Sequence, residues 1–334
     1  MSVIITCNAG SDNTKLAAFD SKTLERKGRT TAHNTAEAEE WLCAIGSLGI
    51  KGVAYRVVHG GDLYHKPVKL DEKVIADLNG LAKLAPLHQP AALRLIVEVQ
   101  KLYPKVLHMV CFDTAFHQDI PAIDRRFALP RRYHDEGLKR YGFHGLSYEY
   151  IASILPEKAA ERARGKIVVA HLGGGSSACA IKNLKSIGGT MGFSTLDGMM
   201  MGTRCGAIDA GVLLYLLEEK NMRTEDLARL LYEESGLIGV SGISAKMSDL
   251  LASKAPAAAE AIELYCRYAA REISGLLPIL GGIDLLVFTG GIGEHAAPIR
   301  ERITELLRFA GMFEVMTIPT DEETVLARAC QAML

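Results

Sequence analysis

Two stretches of this 334-residue chain share one design. VIITCNAGSDNTKLAAFD (3–20) and IVVAHLGGGSSACAIKN (167–183) each run an apolar strand into a turn rich in Gly, Ser or Asn and then into a second strand. Apolar runs without polar alternation need cover on both faces, which helices packed on a sheet supply. The echo therefore predicts two related halves. No low-complexity linker separates them, and the polar, Pro-containing stretch from about 113 to 145 is the expected boundary.

The rest of the chain fits an α/β fold with largely buried sheets. Further short β-rich runs are VAYRVVH (53–59), VLHMVCF (106–112), LLVFT (285–289) and EVMTI (314–318). Helical spacing of apolar residues predicts helices in TAEAEEWLCAIGSLG, DEKVIADLNGLAKL, IDAGVLLYLLEEK, TEDLARLLYEE, residues 255–277 and the final TDEETVLARACQA. In the last of these, Thr320 and Glu323 have capping-box spacing. Lys and Arg total 38 against 39 Asp and Glu, so no broad basic surface exists for nucleic acid or anionic lipid, and any phosphate site must be local. Seven widely spaced cysteines without a C-x-x-C pair argue against zinc ribbons and disulfide frameworks and for a reducing cytoplasm. MSVIITCNAG reads as a strand, not a signal peptide. The longest apolar stretch is broken by Pro278, Asp284 and glycines, which excludes a membrane span.

Four glycine turns follow apolar strands: NAGSDNTK (8–15), HGGD (59–62), HLGGGSS (171–177) and TGGIGEHA (289–296). Bare backbone N–H groups in such turns form concave donor surfaces for phosphate oxygens, and strand ends are where α/β folds place ligands. No G-x-x-x-x-G-K-[ST] occurs, which excludes a P-loop. Residues 291–296 match G-x-G-x-x-A, but only about forty residues follow, too few for a dinucleotide-binding half. Arg56 lies in an apolar strand and Arg204 follows a Met-rich run, so each guanidinium needs an anionic partner. For either alone the ordinary reading is a buried ion pair. Two in glycine-punctuated apolar surroundings suggest a clamp for a carboxylate or a phosphoryl group. Asp113, ending VLHMVCF, is either a cap or an acid that holds Mg²⁺ through water. His88, His117, His144 and His171 sit beside Pro or Gly, without the spacing of a zinc site.

Taken in order, NAGSDNTK, YRVVHGGD, LAPLHQP, FDTAFHQDIP, RYGFHGLS, AHLGGGSSACAIKN, DGMMMGTRCGAID, ESGLIGVSGIS, DLLVFTGGIGEH and IPTDEETVLAR resemble the motifs of the acetate kinase family, over residues 8 to 328. The resemblance implies two duplicated actin-like, sugar-kinase-type (ribonuclease H-like) α/β domains around a central cleft. The expected division is 1–115 plus 320–334 against 116–319. It implies a phosphotransferase that moves the ATP γ-phosphoryl group reversibly to acetate or another short-chain carboxylate, with Mg²⁺ (or Mn²⁺), in a cytoplasmic homodimer with no nucleic-acid or membrane partner. Arg56 and Arg204 would hold the carboxylate and the equatorial phosphoryl oxygens, and His144 would hydrogen-bond the transferring group. Asp113 and Glu322, with Asn8, would position the metal. Val58, Leu87, Phe143 and Thr195 would wall the substrate pocket. Asn8, Ser11, Lys15 and His88 would line the first phosphate path. His171, Gly173, Gly175, Gly291, Gly293 and Glu294 would cradle the nucleotide.

The chain also departs from the family pattern. The chain is short, lacking a segment between Asp20 and Lys51 and another between Gly311 and Phe313. Gly174 stands for an Asn, Thr195 for a Pro, and Lys246 and Ser248 for a nucleotide-contacting Asp and Arg. Asp12 and Asn13 replace part of the first loop's serine run. These changes leave two alternatives: a pyrophosphate or non-adenine donor, or a catalytically weak paralogue that binds nucleotide or acyl phosphate.

Overall fold

The structure is a computed structural model that describes residues 2–10, 13–85 and 89–334. Ser11, Asp12, Leu87 and His88 lie outside the described residues. The chain forms two compact units. Unit 1 comprises residues 1–118, 144–150 and 321–334, and unit 2 comprises 119–143 and 151–320.

Unit 1 holds six strands: β1 (Val3–Ala9), β2 (Thr14–Asp20), β3 (Arg26–Ala32), β4 (Ile50–Val57), β5 (Val68–Lys69) and β6 (Leu107–Phe112), in the order β3-β2-β1-β4-β6-β5. β1 to β3 form an antiparallel meander, and β1, β4 and β6 are parallel. The apolar run of β1 is explained by cover on both faces. Val3, Ile5 and Cys7 pack with Leu42, Leu78 and Ile96 from the helices Thr35–Ile45, Glu72–Gly80 and Gln89–Leu102. Ile4 points the other way, into a cluster with Met109, Cys111, Leu146, Leu326 and Cys330. That second face belongs to the C-terminal helix Glu322–Gln331 and the start of the helix Gly145–Ala159.

Unit 2 holds β7 (Ile167–Leu172), β8 (Ser176–Lys182), β9 (Lys185–Gly189), β10 (Leu285–Thr289) and β11 (Glu314–Thr317), in the order β11-β10-β7-β8-β9. Again three strands form a meander and the first runs parallel to the next two. The two sheets thus repeat one topology, as the internal echo predicted. The long helix Pro256–Leu280 buries Ala258, Ala261, Tyr265, Ala269, Ile273 and Leu276 at three- and four-residue spacing against this sheet.

Two elements escape the sequence pattern for physical reasons. β3 is a polar edge strand, RKGRTTA, with Ala32 its one buried residue. The helix Gly145–Ala159 carries apolar residues on several sides, so no single stripe marks it. The expected capping box is corrected: Asp321, not Thr320, caps the C-terminal helix, accepting from the Thr324 amide at 3.1 Å. Among the described residues no helix is long and apolar enough to cross a membrane.

Candidate active site

Unit 1 gathers its charged residues at the ends of parallel strands. Arg56 is the penultimate residue of β4 and Asp113 follows β6, so parallel register brings them together. Arg56 Nε and Nη2 donate to the Asp113 carboxylate at 2.6 to 3.1 Å. Nη1 donates to Asn8 Oδ1 and to the Ala9 carbonyl, both at 3.3 Å. Asn8, the penultimate residue of β1, passes the network on through its amide, to Glu322 at 2.8 Å and Glu323 at 3.0 Å. The Asp113 side chain is 1% exposed and Arg56 13%. Burial pushes the Asp113 carboxyl upward, Arg56 draws it back down, and the Glu322 charge adds to the rise. Arg56 is held charged: burial opposes the cation, and Asp113, Glu322 and Glu323 more than offset that opposition.

This refines the expected clamp. A guanidinium has five N–H donors, and the bonds above engage four, so among the described residues one Nη2 donor of Arg56 is left for a ligand. Asp113 is not a cap. It is the acid that orients Arg56, and it also accepts from the backbone N–H of His144. His144 takes a left-handed backbone, φ 56°, immediately before the helix Gly145–Ala159. A Cβ on Gly145 would lie 1.9 Å from the Asp113 carbonyl oxygen, so glycine alone permits this approach. Gly145→Ala therefore displaces both Asp113 and His144. We expect a stability loss of about 1–3 kcal/mol or more, read by denaturant melts, with activity falling beyond the unfolded fraction. A variant of wild-type stability and activity would contradict this packing.

The HGGD turn does other work. His59 is fully buried and its Nδ1 accepts from the Gly61 amide at 2.9 Å, which fixes the neutral tautomer. Burial lowers it from its ordinary 6.5 to about 4. Because the folded form holds the proton more weakly than the unfolded chain, stability is intact above pH 6.5 and is lost as pH falls toward 4. The span corresponds to on the order of 3 kcal/mol. Melts of wild type and His59→Gln across pH 7 to 4 check it: the variant should show the shallower slope.

Unit 2 assembles a second set. Register pairs His171 at the end of β7 with Thr289 at the end of β10, so the turns after both strands are neighbours. A Cβ on Gly290 would meet the Leu172 carbonyl at 2.7 Å, and Gly290 has φ 77°, so it is the sterically obligatory glycine there. Gly291 faces open space and Gly293 has ordinary contacts. TGGIGEHA is a short helix, Gly290–His295, and not a plain turn. Gly174 likewise has room for a side chain, so its departure from the family pattern costs no packing. Gly174 also accepts from the Gly202 amide at 3.2 Å, which brings the loop of Arg204 beside the glycine turn 173–175. Arg204 Nη1 donates to the Thr195 carbonyl at 3.0 Å and lies 3.5 Å from Met201 Sδ. The loop is backed by 234–238: the Ser235, Leu237 and Ile238 amides donate to Thr203, Met201 and Gly202 carbonyls. Lys246 and Ser248 are exposed at the head of the helix Met247–Ala252.

Val58 is buried in unit 1, Phe143 is buried in unit 2, and Thr195 is half-buried in unit 2. Lys15 is exposed on β2, opposite Asn8. Sequence reasoning missed Glu323, whose side chain shares Asn8 with Glu322, and Gly145. The repeated acid in IPTDEE and the glycine after His144 were the available signals.

The acetokinase family's sequence profile matches residues 3–324. This chain belongs to the acetokinase family. It is 49% identical over 302 residues to an acetate kinase of Rhodopseudomonas palustris, an alignment covering 84% of this chain and 76% of the relative. It is 42% identical over 316 residues to an acetate kinase of Rickettsia felis, covering 89% and 82%. Its fold superposes on a propionate kinase from Francisella tularensis at TM-score 0.92, with 28% identity and full coverage of both chains. The acetate kinase of Entamoeba histolytica follows at TM-score 0.86 and 30% identity, with 98% of each chain covered. Membership makes this acetokinase-family protein an enzyme, a phosphotransferase that acts on a carboxyl group as acetate kinases do.

Proposed function

We propose that the protein transfers the γ-phosphoryl group of ATP to acetate or a similarly short carboxylate, reversibly, giving an acyl phosphate and ADP. The observation that carries this reading is the Asn8–Arg56–Asp113–Glu322 network, a charged set brought together in unit 1. A carboxylate is already ionised at pH 7, so no general base is required. One carboxylate oxygen forms the new bond to phosphorus as the bond from phosphorus to the ADP oxygen breaks, and no proton changes hands. Catalysis then reduces to bringing two anions within about 3 to 3.5 Å and offsetting their repulsion. In this reading the free Arg56 donor meets the substrate carboxylate. Arg204 stabilises the equatorial phosphoryl oxygens, and His144 hydrogen-bonds the same group. The acid's alkyl end is assigned to Val58 of unit 1 and to Phe143 and Thr195 of unit 2. His171, Gly173, Gly175, Gly291 and Gly293 serve the nucleotide.

The donor chemistry of unit 1 fits a divalent cation. Arg56 faces three carboxyl groups, Asp113, Glu322 and Glu323, and one guanidinium offsets only one of them. Among the described residues no three metal-capable acids converge on one point. Mg²⁺ needs only one or two protein carboxylates, taking waters and substrate phosphates for the rest. Asp113 and Glu322 would hold it, with Asn8 orienting Glu322. When bound, it supplies charge neutralisation to the phosphate oxygens.

The test is to incubate the protein with acetate, propionate or butyrate and, in turn, ATP, GTP or pyrophosphate, with Mg²⁺ or with chelator, and to trap acyl phosphate with hydroxylamine. The reading expects product with ATP and a short acid only when Mg²⁺ is present. Product with pyrophosphate or GTP alone would transfer the donor role. No product with any pair would leave a binding paralogue.

We also infer a homodimer. The helix Ala210–Glu218 is apolar around its circumference yet buries none of its residues, and Ile208, Val212, Leu214 and Tyr215 stand exposed. Within Ile208–Leu217 the sole charge, Asp209, accepts from the Gly211 amide, so an uncharged patch faces out, as a self-complementary interface requires. Sedimentation should show a dimer that Leu214→Glu dissociates; a monomeric wild type would contradict the assignment.

A further inference from the structure

Glu294 was expected to contact nucleotide, and one of its carboxylate oxygens also serves the protein's own backbone. One oxygen, Oε1, accepts from the Gly290 amide at 3.0 Å and from the Thr320 amide at 3.2 Å. The first bond reaches back four residues to the opening residue of the helix that carries Glu294 and satisfies one of the N-terminal amides that have no partner within the helix. Thr289, the N-cap residue of that helix, makes no side-chain cap bond. The second bond holds the last residue of unit 2. The next residue, Asp321, is anchored in unit 1 by both Arg26 Nη2 contacts, at 2.5 and 2.6 Å, and caps the helix that begins at Glu322. The Thr289 and Thr320 hydroxyl oxygens are buried without a hydrogen-bond partner among the described residues, so neither side chain does the tying. The carboxylate does.

Gly290 is the glycine whose conformation sets the turn beside His171, and Thr320 is two residues before Glu322. We propose that Glu294 is a positioning residue that fixes the Gly290 phosphate turn and the chain entering Glu322 to one anchor, setting nucleotide and metal affinity together. This rests on the kinase reading of both segments. It differs from a nucleotide contact by Glu294 in what it asks of the side chain. A positioning acceptor needs an oxygen at the right reach, whereas a direct ligand to ribose or metal needs the charge or a free oxygen.

The test compares wild type, Glu294→Gln and Glu294→Ala. Gln keeps a carbonyl oxygen at the same reach and can accept both amides. The proposal expects Glu294→Gln to stay within about threefold of wild type. It expects Glu294→Ala to raise the KM for ATP and the Mg²⁺ requirement about tenfold or more, while the KM for acetate stays unchanged. A Glu294→Gln variant as impaired as the alanine variant would overturn it in favour of direct ligation. A Glu294→Ala variant with lowered Tm but unchanged kinetic constants, or with both KM values raised equally, would overturn it in favour of bulk stabilisation. Amide hydrogen exchange at Gly290 and Thr320 gives a readout independent of turnover. Protection should be lost in the alanine variant and retained in the glutamine variant, and unchanged protection in both would overturn the clamp even if the wild type made no acyl phosphate.

Discussion

Arg204→Ala lowers kcat by about a thousandfold while leaving the fold intact. In phosphoryl transfer the negative charge spreads over the equatorial oxygens as the group moves, and an arginine that meets it contributes about 10³ to 10⁵ in rate. Arg204 is suited to that task because its loop is fixed by backbone bonds that do not involve its side chain. The Met201 amide donates to the Arg204 carbonyl, the Cys205 amide to Leu231, and the loop rests on 234–238. The guanidinium is half-buried and anchored at Nη1 to the Thr195 carbonyl. Removing it leaves the loop in place, so the melting transition should shift by less than about 1 kcal/mol. Arg204→Lys keeps the charge but loses the planar fork, and should remain at least about tenfold below wild type. Hydroxylamine trapping under saturating substrates reads the rate. A loss below tenfold for the alanine variant would remove Arg204 from the transition state.

Arg56→Ala should be worse, because it damages stability and chemistry together. Asp113 is buried, and in this variant its carboxylate loses its counter-charge and three of its hydrogen bonds. Breaking a buried pair from one side costs about 3–5 kcal/mol, most of it the stranded charge. The double variant Arg56→Ala, Asp113→Asn should therefore be more stable than Arg56→Ala alone, since the stranded group is then neutral. Activity should not return with stability. The Arg56 donor is gone, and so is an acid proposed to hold the metal. Denaturant titrations of the three proteins check the first half, and acyl-phosphate trapping the second. Equal stability of the single and double variants would show that Asp113 is not stranded by the loss of Arg56.

The sequence made the duplicated sheets legible because both β1 and β7 are covered on two faces, which leaves an unbroken apolar run before a glycine turn. It also marked Arg56, because a guanidinium flanked by buried residues demands an acid. What it did not mark was which acid. Arg56 and Asp113 are 57 residues apart and meet only because β4 and β6 run parallel in register. The Asn8 bonds to Glu322 and Glu323 span more than three hundred positions and depend on the C-terminal helix packing against β1. Gly145 could be read as a loop residue, but its need arises from the Asp113 backbone, which local pattern cannot supply. Glu294 shows another kind of gap, since family likeness marked it for nucleotide and local pattern gave no sign that its Oε1 accepts from the Gly290 and Thr320 amides.

In the proposed reaction a substrate carboxylate oxygen attacks phosphorus directly. Acetate labelled with ¹⁸O in both carboxyl oxygens, incubated with unlabelled ATP and Mg²⁺, tests it by ³¹P NMR of the acetyl phosphate formed. Direct attack predicts that every product molecule carries one ¹⁸O bonded to phosphorus, seen as an isotope-shifted resonance. A product whose phosphorus carries only ¹⁶O would mean that the carboxyl C–O bond breaks instead, and would contradict the assignment of Arg56, Arg204 and Asp113 to a base-free transfer.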